Sequence, residues 1–182
     1  MFVPLFLTGG AFGTAAMTLI GQNLGAGTPR RAAQSGWVAF AMGGGVMMFM
    51  GILFFALARP MFRLFCHDPD MGPVIDEGVP VLRLIAFAMP ALASAIIFTA
   101  ALRGAGDARV PVLFSWIGFL GVRIPLAYLL TRPAISLGAL GTIPCLDLGL
   151  FGAWIAMVVD IWVRGLFFLT RFISGRWKRI EV

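Results

Sequence analysis

Long apolar runs separated by short polar segments make up most of this chain. A helix needs about 20 apolar residues to cross a bilayer, and only helices or closed barrels satisfy the backbone there. The runs lack the period-two alternation of apolar and polar residues that a barrel strand requires. The pattern therefore predicts an all-α fold, a polytopic membrane helix bundle of about five transmembrane helices. We expect these helices over residues 2–22, 33–58, 79–102, 110–131 and 148–170.

Composition supports the membrane class. Of 182 residues, 60% are hydrophobic and only 12% are charged, and the mean hydropathy is +0.95. Soluble domains carry about 25% charged residues, so this chain has too little charge to cover a water-facing surface of its size. We expect residues 1–182 to form one unit in contact with membrane lipid.

The distribution of basic residues predicts the orientation of the bundle. The net charge is +6, but the positive side chains lie mostly between and after the apolar runs, which indicates membrane topology and not nucleic-acid binding. One side would hold Arg30, Arg31, Arg103, Arg109, Arg171, Arg176, Lys178 and Arg179, and the other Arg59, Arg63, Arg83 and Arg132. The positive-inside rule places the first side and the C-terminus in the cytoplasm of a cell with the protein in its inner (plasma) membrane.

That orientation leaves the N-terminus outside. Residues 1–29 contain no charge, so no basic region of a signal peptide precedes the first apolar run. A cut between two helices would produce such a start, and we expect further helices before Met1.

The sequence contains no constellation typical of an enzyme or a metal site. It has one histidine and none of the GxSxG, HExxH or P-loop motifs. Cys66 and Cys145 do not form a CxxC pair, and the adjacent residues Cys66, His67 and Asp68 cannot converge on one ion unaided. We expect no enzyme activity, no metal and no organic cofactor.

Glycines and prolines indicate helices that pack closely and bend. One i+4 row of the first helix allows a neighbouring backbone to approach, and its members are Gly9, Gly13, Gly21 and Gly25. Pro90 and Pro125 lie inside predicted helices, where each removes a backbone donor and frees the carbonyl four residues earlier. Such bends can be purely structural, but they also suit helices that rock during transport.

Charged residues within the apolar runs are candidates for transport or ion coupling. Arg123, Asp160 and Arg164 lie in such runs, and intramembrane charges are functional candidates by default because they are costly. Asp160 and Arg164 are spaced i,i+4 and can pair on one helix, so a self-neutralised structural pair is the alternative. Arg123 either reaches Asp160 across a helix interface or faces a watery cavity.

Several motifs in sequence order resemble the multidrug and toxic compound extrusion (MATE) family. The first runs from Gly21 and Gln22 to Gly25 and Gly27, followed by Arg31. The second contains Arg103, Gly104, Gly106 and Asp107, followed by Pro111. Two more are the segment from Arg123 to Tyr128 and the terminal segment from Gly175 to Lys178. Together they cover nearly the whole chain.

The resemblance implies a part of a cation-coupled efflux antiporter. Members of that family have two six-helix lobes and exchange Na⁺ or H⁺ for amphipathic, often cationic molecules by alternating access. This chain is similar to a partial C-terminal lobe, so the missing N-terminal lobe would be its partner. Residues 84–102, in the third predicted helix, contain no acid. Asp160 is therefore the one carboxylate that lies within a predicted span. Two other functions stay open: a flippase for lipid-linked precursors, or a non-transporting membrane module that assembles with a partner.

Overall fold

Helices make up nearly all of the described chain. The computed structural model describes residues 3–65, 72–132, 134–136, 142–144 and 146–179. In chain order the helices are α1 (Val3–Gly25), α2 (Pro29–Ala56), α3 (Ala58–Phe65), α4 (Gly72–Gly104), α5 (Arg109–Trp116), α6 (Ile124–Thr131) and α7 (Gly149–Ile173). A π-helical stretch, here called the π segment (Ile117–Arg123), joins α5 to α6, and a 3₁₀ turn (Arg176–Arg179) follows α7. The predicted all-α membrane bundle is confirmed.

Four of the described helical stretches are long and apolar enough to cross a membrane. They are α2, α4, the continuous stretch Arg109–Thr131, and α7. The 23 residues of α1 also suffice by length, although α1 is not among these four. The chain is therefore a multi-pass membrane protein.

The described residues between the second and third predicted spans contain more helix than the hydropathy pattern indicates. The structure adds α3 there and begins α4 at Gly72, ahead of the expected start near Val79. The Phe62 ring packs on Gly78, where an added Cβ would lie 2.5 Å from its Cζ. Arg59 also donates to Asp76 at 2.8 Å. These contacts extend α4 beyond its apolar stretch. Between α6 and α7, the strands β1 (Ala134–Ser136) and β2 (Thr142–Pro144) pair antiparallel, with Ile135 opposite Ile143.

Helix α4 is the centre of the bundle, and α1, α2 and α7 pack around it. In the most apolar part of α4, 56% of the residues are buried, whereas in the most apolar part of Arg109–Thr131 only 11% are. The stretch Arg109–Thr131 therefore lies at the outside of the bundle. It contacts α7 on one side and presents large apolar side chains to lipid on the other. Two apolar clusters fill the bundle: one joins α1, α2, α4 and α7 around Phe98 and Phe172, and the other joins α2 and α4 around Met47 and Met89.

The contact between α1 and α4 depends on glycine. An ideal Cβ on Gly104 would overlap the carbonyl oxygen of Met17, and one on Gly21 would lie 3.2 Å from the carbonyl oxygen of Gly104. Backbone atoms on both sides leave no flexible side chain that could move away. The two helices therefore approach so closely because neither residue has a side chain.

We expect Gly104→Ala to destabilise the protein by about 1–3 kcal/mol, because the new methyl group must push α1 away from α4. Thermal unfolding of the detergent-purified protein measures this loss. The matched control is Gly45→Ala in α2, since no described atom lies within 4 Å of a Cβ there and alanine is the better helix former. Equal midpoints for the two variants would contradict the close packing of α1 on α4.

Candidate functional site: the Asp160 pair and the arginine-lined groove

A buried ion pair lies in the middle of α7. Arg164 donates from Nη2 to Oδ2 of Asp160 at 2.7 Å, across one helical turn. The Asp160 side chain is fully buried, and 25% of the Arg164 side chain is exposed. The i,i+4 spacing in the sequence predicts this pair, and the structure forms it within one helix.

The pair is incompletely satisfied. Among the described residues, Oδ1 of Asp160 and Nε of Arg164 are buried without a hydrogen-bond partner, and so is Nε1 of Trp162 nearby. Buried polar atoms are nearly always hydrogen-bonded, and a half-satisfied network costs stability. An exception of this kind marks α7 around Asp160 as a functional candidate.

The π segment covers the pair. Gly118 lies directly on it, since an ideal Cβ there would come 2.5 Å from Oδ1 of Asp160 and 2.6 Å from Cγ of Arg164. Only a residue without a side chain lets the π segment approach α7 this closely. The sequence contains no signal for this contact, because Gly118 lies far from Asp160 along the chain.

The π-helical geometry arises next to Pro125. The N–H of Ile124 bonds to the carbonyl of Phe119, five residues back, and Pro125 follows it at the start of α6. Single π turns inside α-helices occur frequently at functional sites. The bend expected from Pro125 thus takes the form of a widened turn just before it, which faces the ion pair on α7.

An open groove of about 590 Å³ runs between α1, α4, α5, the π segment and α7. Its basic lining residues are Arg103, Arg123 and Arg164. The walls between them are mainly apolar, with Leu92, Ile96, Met157, Ile161 and Phe168. No acidic residue is among the described residues that line it.

Arg123 faces this groove and does not pair with Asp160. Its guanidinium lies over the Phe119 ring at 5.6 Å from the centroid, and no ion pair of Arg123 is found among the described residues. The sequence left two alternatives for Arg123, a pair with Asp160 or a place beside a cavity, and the structure shows the second.

The glycine row on α1 packs mainly against α4. A Cβ on Gly9 would lie 3.2 Å from Ile96 Cδ1, and one on Gly13 would lie 3.2 Å from Ala100 Cβ. Gly21 approaches the end of α4, as described above, whereas no described atom lies within 4 Å of a Cβ on Gly25. Of this row, Gly13 also lines the groove.

Pro90 lies inside α4, beside the contact of α4 with α7. An ideal Cβ on Gly165 would come 2.6 Å from the carbonyl oxygen of Ala91, and Ser94 donates to the carbonyl of Gly165 at 2.9 Å. The buried hydroxyl of Ser94 thus joins the two helices one turn beyond the proline. Sequence reasoning did not single out Ser94 or Gly165.

The residues of the two glycine-rich motifs mostly shape turns. Gly27 and Gly106 have φ of 69° and 80°, and the next residue in each case bonds back five positions, Thr28 to Asn23 and Asp107 to Leu102. This is the Schellman ending of a helix, which favours glycine. Gln22, in the same region, is exposed.

Asp107 ties the second turn to the end of α7. Arg171 donates to Oδ2 of Asp107 from Nε at 2.9 Å and from Nη2 at 2.8 Å, and the carboxylate is almost fully buried. Beside it, the Trp177 indole is buried, donates to the Phe172 carbonyl at 2.9 Å and stacks on the Phe172 ring. The second motif and the terminal motif are therefore both attached to the end of α7.

The described residues hold no group of three or more His, Cys, Asp or Glu side chains that could bind a metal ion. Cys66, His67, Asp68 and Cys145 lie outside the described residues.

Comparison with known proteins supplies relatives for most of the chain. A family model described as MatE matches residues 1–129. A probable multidrug resistance protein NorM of Thermotoga maritima is 28% identical over 184 residues, which is 100% of this chain and 35% of the relative. A protein of the same description from Brucella suis is 31% identical over 170 residues, covering 92% of this chain and 32% of the relative.

A mammalian protein is also similar. The multidrug and toxin extrusion protein 2 of Mus musculus is 26% identical over 171 residues, which is 93% of this chain and 27% of that protein. The chain thus spans about a third of the length of the curated relatives that it matches.

Proposed function

Because the chain belongs to the MatE family, whose model covers residues 1–129, we propose that it is part of a cation-coupled multidrug efflux antiporter that works by alternating access. The family resemblance found in the motifs is confirmed. Members of this family are transporters and not enzymes, which agrees with the expected lack of catalysis. The relatives are described as multidrug resistance or extrusion proteins.

The architecture supports movement of helices around the groove. At the glycine contacts of α1 with α4 and of the π segment with α7, no interlocking side chains lie between the two backbones. The helices can therefore slide past each other at these contacts. Pro90 in α4 and the π segment before Pro125 provide places where two of the groove-lining stretches can bend. Alternating access requires rocking of this kind.

Asp160 is the proposed site of ion coupling, with Arg164 as its switchable partner. Its carboxylate is fully buried and has one oxygen without a described partner, so it can take up H⁺ or contact Na⁺. Either ion would weaken the electrostatic attraction between Asp160 and Arg164, and Arg164 lines the groove. Binding of the ion would thereby change the charge that a substrate meets. Arg123, which also lines the groove, would contact the substrate directly.

The proposed protein works with a second lobe in the inner (plasma) membrane. Since the chain spans about a third of its relatives, an N-terminal lobe would complete the transport cavity. The cytoplasmic face would carry the α1–α2 and α4–α5 turns and the C-terminus, with the N-terminus outside, as the distribution of arginines favours. Amphipathic small molecules, cationic ones included, are the proposed substrates. A flippase of lipid-linked precursors is the second candidate, because three arginines line the groove.

Efflux from cells tests the proposal. The native gene is expressed in cells that lack their own efflux pumps, and loss of ethidium fluorescence is followed with intact gradients, with a protonophore, and with a Na⁺ ionophore. We expect efflux that stops when one gradient collapses. Asp160→Asn should abolish it, whereas Asp76→Asn, at an exposed ion pair, should not. Efflux that continues without both gradients would refute the antiporter.

Pro125→Ala should slow transport more than it harms folding. Alanine restores a backbone donor, which favours regular α-helical geometry over the π segment and stiffens the wall that covers Asp160. We expect turnover to fall about tenfold, a barrier increase of about 1.4 kcal/mol, at normal expression. The control is Pro29→Ala at the first turn of α2, where proline replaces no needed donor. Equal turnover for both variants and the unmodified protein would contradict a mechanical role of Pro125.

A further inference from the structure

The arginines of the groove come from three separate elements. Arg103 lies in the last turn of α4, Arg123 ends the π segment, and Arg164 lies within α7. All three line the same groove, although they are far apart in the sequence. Tertiary packing therefore concentrates positive charge on one surface of a chain that carries little charge elsewhere in its spans.

Two of these charges lack an acidic partner in the part of the chain that the structure describes. Arg164 is paired with Asp160, but neither Arg103 nor Arg123 forms an ion pair with any described residue. The structure pairs arginines where an acid is within reach, as Arg59 with Asp76 and Arg171 with Asp107. The groove thus keeps an excess positive charge between apolar walls, where low-dielectric surroundings focus the field on an anion.

The groove also offers a neutral hydrogen-bond donor. Thr99 lies one turn before Arg103 on α4 and lines the groove, and no described group accepts from its hydroxyl. Two guanidinium groups and a hydroxyl suit the oxygens of a carboxylate or a phosphate, which arginine binds through paired N–H donors. The apolar side chains Leu92, Ile96 and Phe168 would contact the rest of such a molecule.

We propose that this groove binds the anionic oxygens, carboxylate or phosphate, of an amphipathic molecule, through Arg103 and Arg123 with help from Thr99. The inference rests on the proposed transport function and refines its substrate class. Zwitterions and amphipathic anions fit this groove. A cationic group would have to be held away from the two arginines.

Equilibrium binding of a matched probe pair tests the groove. The intact protein is reconstituted in nanodiscs of phosphatidylcholine, and binding of dansylglycine is compared with binding of dansylglycine amide, which has the same shape and no charge. We expect the carboxylate to bind at least about tenfold more tightly, the value of one charge-assisted hydrogen bond. R103Q and R123Q should each remove about tenfold of carboxylate affinity and leave amide binding unchanged. The control R30Q removes an exposed charge that does not line the groove.

A second arm separates a soluble ligand from a lipid headgroup. The binding is repeated with phosphatidylglycerol in the nanodisc. Competition by this lipid that R123Q abolishes would support the site with a headgroup phosphate as its occupant, and unchanged probe binding would support it with a soluble anion. Equal affinity for acid and amide, or equal losses in R30Q and R123Q, would overturn the proposal. The binding assay uses no ion gradient, so its outcome does not depend on efflux. A negative binding result would overturn the anion site alone, and a negative efflux result would overturn the antiporter alone.

Discussion

Replacement of Asp160 by leucine is expected to lower the stability of the protein by about 3 kcal/mol and to abolish transport. The substitution leaves Arg164 largely buried next to an apolar side chain, and an uncompensated buried charge costs about 3–5 kcal/mol. The lower end applies because 25% of the Arg164 side chain is exposed and can remain hydrated. Thermal unfolding of the purified protein measures the first effect, and ethidium efflux measures the second.

The double variant Asp160→Leu/Arg164→Met separates folding from function. Replacing a buried ion pair by apolar residues of similar volume is often neutral or stabilising, so we expect the unfolding midpoint to recover. Transport should stay absent, because the proposed coupling carboxylate and its partner are both gone. Recovery of transport together with stability would show that the pair serves only the fold.

Gly118→Ala is expected to impair transport strongly, although it adds only one methyl group. The added Cβ would lie 2.5 Å from Oδ1 of Asp160, so the π segment must move away from α7 or the ion pair must rearrange. Overpacking of this kind costs about 1–3 kcal/mol. Transport should fall further than stability, since the displaced atoms belong to the proposed coupling site. The measurements are the unfolding midpoint and the efflux rate at matched expression.

The same π segment contains a suitable control. A Cβ on Gly121 would meet only Cγ2 of Ile117, at 4.0 Å, which is ordinary van der Waals contact. Gly121→Ala therefore changes the same helix by the same methyl group without touching Asp160. If the two alanine variants transported equally well, the contact between the π segment and the ion pair would have no role in the mechanism.

Much of the fold can be predicted from hydropathy, but the ends of the elements cannot. Apolar runs show where lipid surrounds a helix, because a polar or charged side chain costs free energy there. Asp76 and Glu77 lie beyond such a run and nevertheless belong to α4, which begins at Gly72. Outside the bilayer a helix is held by tertiary contacts, such as Phe62 on Gly78, and hydropathy carries no information about them.

The candidate site divides in the same way. By itself, the sequence determined the membrane class, the family resemblance and the i,i+4 pair of Asp160 and Arg164, because these depend on local spacing and composition. Only the tertiary structure decided that Gly118 covers this pair and that Arg103 and Arg123 meet Arg164 at one groove. Those contacts join residues tens of positions apart, and their partners are set by how helices pack, which short-range periodicity does not encode.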